Sequence, residues 1–335
     1  MSKPTRKKAA IEVAPSRPPT TGPALTVSVC TYDRYDTLPQ TLESLAAQSV
    51  ADRIEVLIVD NTTNAKRRDD YYRDRSLATN TRLVIADRPG LSRARNISIK
   101  EAAAPIVAFI DDDAIASERW AECIITLFRD NPDCGIGGGK VTPVWPSERP
   151  AWLHPWMEGF LSIVDRGPKK RRLETSEWLA GTNIAFRTDL LKEAGGFNEH
   201  LGRIGSILLS NEELELSDRI HAKGLHAYYD PEALVMHQIH EERVKPDWFR
   251  KRFAWQIISD LMVTNKMQPK VGDQEWKAIG DYMNRLPPHL RNVTGLLLTP
   301  DNPEFFLSQK SALEAFIKFV LMSGADPTAN LKANV

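Results

Sequence analysis

The segment PIVAFIDDD, residues 105–113, limits what this chain can fold into more than any other stretch. Its apolar run is too short for a long helix and shows no polar alternation. It reads as a strand buried on both faces, the kind found in parallel sheets. Asp111, Asp112 and Asp113 follow at once. Three like charges at one strand end repel, and partial burial raises their pKa values unless something positive sits among them. Two readings stand side by side: a solvated turn after a core strand, or carboxylate oxygens for a hard divalent cation, Mg2+ or Mn2+.

The surrounding chain repeats the pattern. LTVSVC (25–30), IEVLIVD (54–60) and TRLVIAD (81–87) are further apolar strands. Helix-compatible stretches at 38–48, 65–76 and 92–103 separate them, and another helix is expected over 117–129. Such alternation predicts an α/β fold, a mostly parallel sheet flanked by helices. Ligands of open α/β sheets bind beyond the carboxyl ends of the strands. Asp60 and the three aspartates end strands, and the first strand runs into Thr31, Tyr32, Asp33 and Arg34, so all of these groups share the expected ligand edge.

Two nucleotide-binding motifs are missing. A dinucleotide fold needs G-x-G-x-x-G after the first strand, where CTYDRYD has no glycine. CGIGGGK (134–140) lacks the first glycine of a P-loop and its Ser/Thr. It reads instead as a strand whose glycines admit close backbone approach. With 44 basic and 44 acidic residues the formal net charge is zero, and nothing global points to nucleic acid. Cys30, Cys123 and Cys134 show no paired or metal-type spacing, as a reducing compartment would allow. No apolar run approaches the roughly 20 residues that span a bilayer, and no leader-like apolar core opens the chain. The expectation is a cytoplasmic protein, with peripheral contact at the inner face of the membrane left open. Residues 1–24, with five prolines and five basic residues, read as a disordered tail.

Seven segments then fall in a familiar order: TVSVCTYDR, EVLIVDN, GLSRARNISIKEA, IVAFIDDD, AGTNIAFR, EAGGFNEHLG and NEELELSDRIHAKG. Together they resemble the family-2 glycosyltransferases of the GT-A fold over about residues 25–240. The resemblance implies a nucleotide-diphosphate sugar donor, a UDP-sugar first, a divalent metal (Mn2+ or Mg2+) and inversion at the anomeric carbon. It also implies a saccharide or lipid-linked saccharide as acceptor. Metal falls to Asp113, with Asp111 beside it near ribose or sugar and Asp112 competing for either role. His237, ending EALVMH, is a further candidate ligand of metal or diphosphate. Around the nucleoside the resemblance sets Thr31, Tyr32, Asp33, Arg34 and Asp60, and at the phosphates or ribose Arg93 and Arg95. Asp60 has a second reading, an Asx-type turn with Asn61. Either of the two later arginines serves equally well as a surface charge.

Direct displacement at an anomeric carbon needs a general base. Asn211-Glu212-Glu213 opens a helix expected to reach about residue 223. Capping and the helix dipole alone would explain both acids. The resemblance makes Glu213 the base, at a position where the family usually has Asp, and keeps Glu212 as its rival. WLAGTNIAFR resembles the acceptor-side strand, which puts Trp178 and Gly181 at the acceptor, although a core tryptophan is the other reading. Residues 141–156, rich in Pro and Trp, are expected to form a loop over the site, and the basic 167–176 a lid that meets phosphate.

Two other function classes compete. A sugar nucleotidyltransferase would need a glycine-rich basic loop after the first strand, which is not there. A non-catalytic glycan-binding protein on the same fold would not need the acids at 60, 111, 113 and 213. Beyond residue 245 the resemblance ends, and 246–335 are expected to be a helical appendage to a GT-A domain over 25–245. In DWFRKRFAWQIISDLM (247–262), Phe249, Phe253, Ile257 and Leu261 form a stripe beside Arg250, Lys251 and Arg252. Such a stripe either packs on the catalytic domain or lies among lipid headgroups.

Overall fold

A computed structural model of the protein describes residues 22–205, 207–264, 270–292, 295–296 and 304–323. Apart from residues 22–24, the expected N-terminal tail lies outside them. The first half alternates β1 (Leu25–Thr31), α1 (Leu38–Ala46), β2 (Ile54–Asp60), α2 (Ala65–Tyr72), β3 (Thr81–Ile85), α3 (Leu91–Glu101) and β4 (Ile106–Asp111). β5 (Ala114–Ala116), α4 (Trp120–Asp130), β6 (Cys134–Val144), β7 (Arg171–Arg172) and β8 (Ile184–Arg187) follow. Next come α5 (Thr188–Glu193), α6 (Glu212–His221) and β9 (His226–Gln238). The helices α7 (Pro246–Val263), α8 (Asp273–Arg285) and α9 (Glu304–Met322) complete the described part.

One sheet runs β3-β2-β1-β4-β8-β6-β9-β5, with β7 on β9. β3, β2, β1 and β4 are parallel. Beyond β4 the pairing is mixed: β8 is antiparallel to β4 and β6, and β9 is parallel to β6. Period-two side chains explain why the first strands look continuously apolar. Val27, Val29, Ala108 and Ile110 pack with α1 and α4 on one face. Val107 and Phe109 face α5 and α6 on the other, and Leu57 and Val59 face α3. The glycines of β6 do serve close approach: a Cβ at Gly139 would strike the carbonyls of Ala233 and Asp230, and one at Gly138 that of Asn183.

Strand register aligns the ligand edge. Thr31 pairs with Asp60, and Cys30 with Asp111, so three strand ends stop together. The next strand, β5, leaves this edge and joins β9, which places Ala114 opposite His237.

The stripe on α7 is packed. Phe249 and Phe253 are buried against Trp152, Trp156 and Phe306, with ring centroids 5.4 Å apart for Trp152 and Phe249 and 5.7 Å for Trp156 and Phe253. Burying each ring contributes about 2–3 kcal/mol, and the lipid-facing reading loses the side chains it required. Among the described residues no helix is long and apolar enough to cross a membrane. The 141–156 segment is correspondingly less loop-like than expected. Its first residues extend β6, and Trp152 and Leu153 form part of this apolar contact. The expected lid at 167–176 contributes β7 to the sheet, and Arg171 is paired with Glu177 at 2.6 Å. None of its side chains lines the cavity described next.

Candidate active site

A cavity of about 460 Å³ opens over the aligned strand ends. Thr31, Tyr32 and Arg34 border it from β1, Asp111 to Asp113 from β4, and Glu212 and Glu213 from α6. Trp178 and Gly181 line it as well. The segments singled out in the sequence therefore converge on one space.

Asp113 is its most enclosed acid. Arg34 Nη1 bonds Asp113 Oδ2, and His240 Nε2 lies 3.1 Å from the same oxygen. Arg243 Nη2 stands 3.6 Å away. Burial works to raise the Asp113 pKa, but His237 and Arg34 outweigh it and hold the carboxyl well below the usual range. At Asp112 burial wins, and its carboxyl is pushed up to about 7 against the pull of Arg34. Asp111 stays about one-third exposed, with Arg95 Nη2 3.8 Å from its Oδ1.

Asp111, Asp113 and His237 offer one ligand atom each within 4.8 Å of one another. His237 is turned toward the two aspartates. Its Nδ1 is 2.9 Å from the carbonyl of Leu161, which can only accept, so Nδ1 carries a proton and Nε2 is the atom presented to the cluster, with Arg243 Nη1 3.4 Å from it. That Nε2 lies 3.2 Å from Asp113 Oδ1, a buried oxygen with no hydrogen-bond donor. The three groups form one cluster, and two carboxylates with one imidazole are a donor set that a divalent ion such as Mn2+ or Mg2+ can use.

On the far side, the buried Arg95 organises the acid pair. Its Nη1 is 3.1 Å from Glu212 Oε1 and 2.9 Å from Glu213 Oε1, and its Nη2 donates to the carbonyl of Gly181 at 3.3 Å. The two acids diverge. Glu212 is 3 % exposed, and burial followed by repulsion from Glu213 pushes its carboxyl up to about 8. Glu213 reaches further into the cavity. Burial opposes its ionisation too, yet Arg95 overrides this and lowers its pKa. Burial thus favours the protonated form of Glu212, and Arg95 favours the carboxylate form of Glu213. Gly181 makes room for it: a Cβ there would overlap Glu213 Oε1 and crowd Arg95 Nη2.

Other expected site residues point elsewhere. Asp60 is fully buried, accepting from Tyr35 Oη at 2.9 Å and from the Thr62 N–H at 2.9 Å. One oxygen accepts from Tyr35 and the other closes the Asx-type turn, and Asp60 does not line the cavity. Asp33 adopts a left-handed φ of 60° and pairs with Arg67 at 2.8 Å, turned toward α2. Arg93 is spent on Asp87 at 2.7 Å and Glu199 at 3.3 Å, outside the cavity, which matches its surface-charge reading. Arg95, of the same motif, points inward because two residues turn a helix by about 200°, which puts it on the opposite face from Arg93, against Phe109 and Phe197.

The cavity also has lining residues that sequence reasoning missed: Arg203, Arg243, Arg252 and Gln256. Arg252 belongs to the basic cluster beside the α7 stripe, and it is buried on α7 and faces this space. Only the apolar stripe on α7 was periodic, and the complementary buried side carries no such signal.

Comparison with known proteins agrees with this arrangement. The family described as "Glycosyl transferase family 2" matches residues 26–195. A glucosyl-dolichyl phosphate glucuronosyltransferase of Haloferax volcanii is 29% identical over 263 residues, 77% of this chain and 83% of that protein. The succinoglycan biosynthesis protein ExoM of Rhizobium meliloti is 25% identical over 231 residues, 68% of this chain and 70% of its own. Among solved structures, a mannosyltransferase from Pyrobaculum calidifontis in complex with GDP-Man and Mn2+ has a TM-score of 0.51 at 20% identity, covering 94% of this chain and 80% of that one. S. aureus TarS in complex with UDP-GlcNAc has a TM-score of 0.50 at 17% identity, covering 90% and 93%. At such identities these two likenesses concern the fold. The family match spans more than half the chain, and it is this that decides the matter: the chain belongs to glycosyl transferase family 2 and is a glycosyltransferase.

Proposed function

We propose that the protein transfers a sugar, with inversion, from a nucleotide-diphosphate donor to a hydroxyl of a saccharide or lipid-linked saccharide. The observation that carries this reading is the convergence of two acidic groups on one cavity. Asp111 and Asp113, clustered with His237, border it together with Glu213, which Arg95 holds toward the carboxylate form. A divalent ion held by the first group would offset the charge that develops on a departing diphosphate.

Glu213 takes the proton from the acceptor hydroxyl as its oxygen bonds to the anomeric carbon and the bond to the diphosphate breaks. Arg95 fixes the carboxylate and, with Glu212 neutral beside it, keeps it ionised. Trp178 and Trp156 give the cavity aromatic surfaces against which a sugar ring can stack. The name of the Haloferax volcanii relative supports a lipid-linked acceptor. In this reading residues 25–245 are the catalytic unit, and α7, through Arg252 and Gln256, walls its cavity from the region beyond it.

Calorimetry with UDP and with GDP, each with and without Mn2+, tests the donor side. Metal-dependent binding to the intact chain and its loss in Asp113→Ala are expected, and unchanged binding in that variant would overturn the assignment. The product separates the remaining classes. Release of free nucleotide from a nucleotide sugar marks transfer or hydrolysis, pyrophosphate marks a nucleotidyltransferase, and neither marks a binding protein.

A further inference from the structure

Arg252 is a buried charge without a carboxylate partner. Its Nη2 donates to Ser210 Oγ at 3.1 Å and to Gln256 Oε1 at 2.7 Å, both neutral. Its Nε and Nη1 are buried and meet no acceptor at all. The guanidinium carbon lies 5.5 Å over the ring of Phe160, which also lines the cavity. Isolated buried charges are costly and persist where something offsets them. The other arginines of the cavity have their anions: Arg34 and Arg243 stand by Asp113, and Arg95 by the glutamates. Arg203, half-buried on the same cavity, adds a further positive charge close enough to bear on Arg252.

Position tells which end of the reaction this charge serves. The acids that act most on Arg252 are Glu212, Asp260 and Glu213, whereas Asp113 and Asp111 are those acting on Arg243. Through Ser210 and Gln256, Arg252 is also bonded to the residues leading into α6. It therefore flanks the acid pair and not the aspartate cluster.

We propose that Arg252, with Arg203, is the anion-binding end of the acceptor site, and that the acceptor carries a phosphate group there. The inference rests on Glu213 marking the acceptor side. Two unused N–H donors beside a second guanidinium suit a group with several oxygens and more than one charge, which a phosphate ester supplies. The phosphate belongs either to a soluble sugar phosphate or to a phosphorylated lipid. Shared recognition of both is electrostatic and local, so short probes report it.

The test titrates the full chain with glucose phosphate, geranyl phosphate and uncharged methyl glucoside, with and without UDP and Mn2+. Expected is binding of a phosphate probe but not of methyl glucoside, weakened about tenfold or more in Arg252→Met, and partly restored in Arg252→Lys. Nucleotide affinity stays within about twofold of wild type in both variants, a control that also shows the fold intact. Preference for geranyl phosphate assigns the phosphate to a lipid, and preference for glucose phosphate to a soluble acceptor. Equal binding of charged and uncharged probes, or none of either, would overturn the proposal. So would Arg252→Met weakening UDP as much as the phosphate probe, which would move Arg252 to the donor diphosphate. Because nucleotide binding is read separately, its absence in wild type would count against the donor reading and leave the phosphate result to stand or fall alone.

Discussion

Asn211 Nδ2 donates to Asp260 Oδ1 at 2.7 Å, so the residue that introduces the acid pair is held by the C-terminal helix α7. Gln256 Nε2 reinforces the grip, donating to Asn211 Oδ1 at 2.8 Å and to Asp260 Oδ1 at 2.7 Å. Asn211 has a φ of 73°, a left-handed conformation that Asn tolerates better than most residues. The start of α6 is thus fixed by a helix that follows the last strand of the sheet.

Asp260→Ala should slow transfer roughly tenfold while leaving nucleotide affinity unchanged, because an amide loses its acceptor and the entry to α6 loosens. Asp260→Asn, which keeps an acceptor oxygen, should recover part of the rate. Steady-state rates beside nucleotide calorimetry check this, and parallel loss of both quantities would point to general unfolding instead.

Glu213→Gln should retain donor binding and lose about 10²–10⁴-fold in transfer rate, the range for removal of a general base. Since Arg95 lowers the Glu213 pKa, the acid limb of the rate profile should lie below the ordinary glutamate range. A wild-type rate in this variant with an inactive Glu212→Gln would exchange the two roles.

Gly181→Ala should fold normally and transfer poorly. Its added methyl falls on Glu213 Oε1 and Arg95 Nη2, so the carboxylate must move. A misplacement of this kind costs on the order of 10²-fold in rate. Matching circular dichroism spectra with an unchanged rate would show that the contact yields without consequence.

Glu212 makes stability depend on pH. Its carboxyl is raised from an ordinary 4.5 to about 8, first by burial and then by Glu213. Between those limits the folded protein keeps a proton that the unfolded chain has released, so the folded state loses stability as pH rises. Glu212→Gln lacks this term. Wild type should therefore fall in Tm relative to the variant between about pH 5 and pH 8, and a constant difference across that window would remove Glu212 as the cause.

Legibility followed the strength of the local signal. β1, β2 and β4 were readable because they are largely apolar and nearly every residue is buried, and the aspartates were readable because they interrupt that run. Gly181, the acid pair and His237 came only with the ordered motifs, since each alone is compatible with a cap, a turn or a core histidine. Asp60 kept two readings because a strand-ending acid looks the same whether it turns outward or, as here, bonds Tyr35 and Thr62 inside. Arg252 was hidden in a basic cluster, where sequence gives no hint that one of three neighbours is buried and the other two are not.

The packing of α7 has a consequence for how freely this helix can vary. Phe249, Phe253 and Ile257 are committed to apolar contacts, and Arg252 and Gln256 to the cavity. Of its well-exposed positions, Asp247, Lys251 and Asp260, the last is tied to Asn211. Asp247 pairs with Arg250 at 3.5 Å, so among these exposed positions Lys251 is the least constrained, and a library randomised across Pro246–Val263 should retain most diversity there.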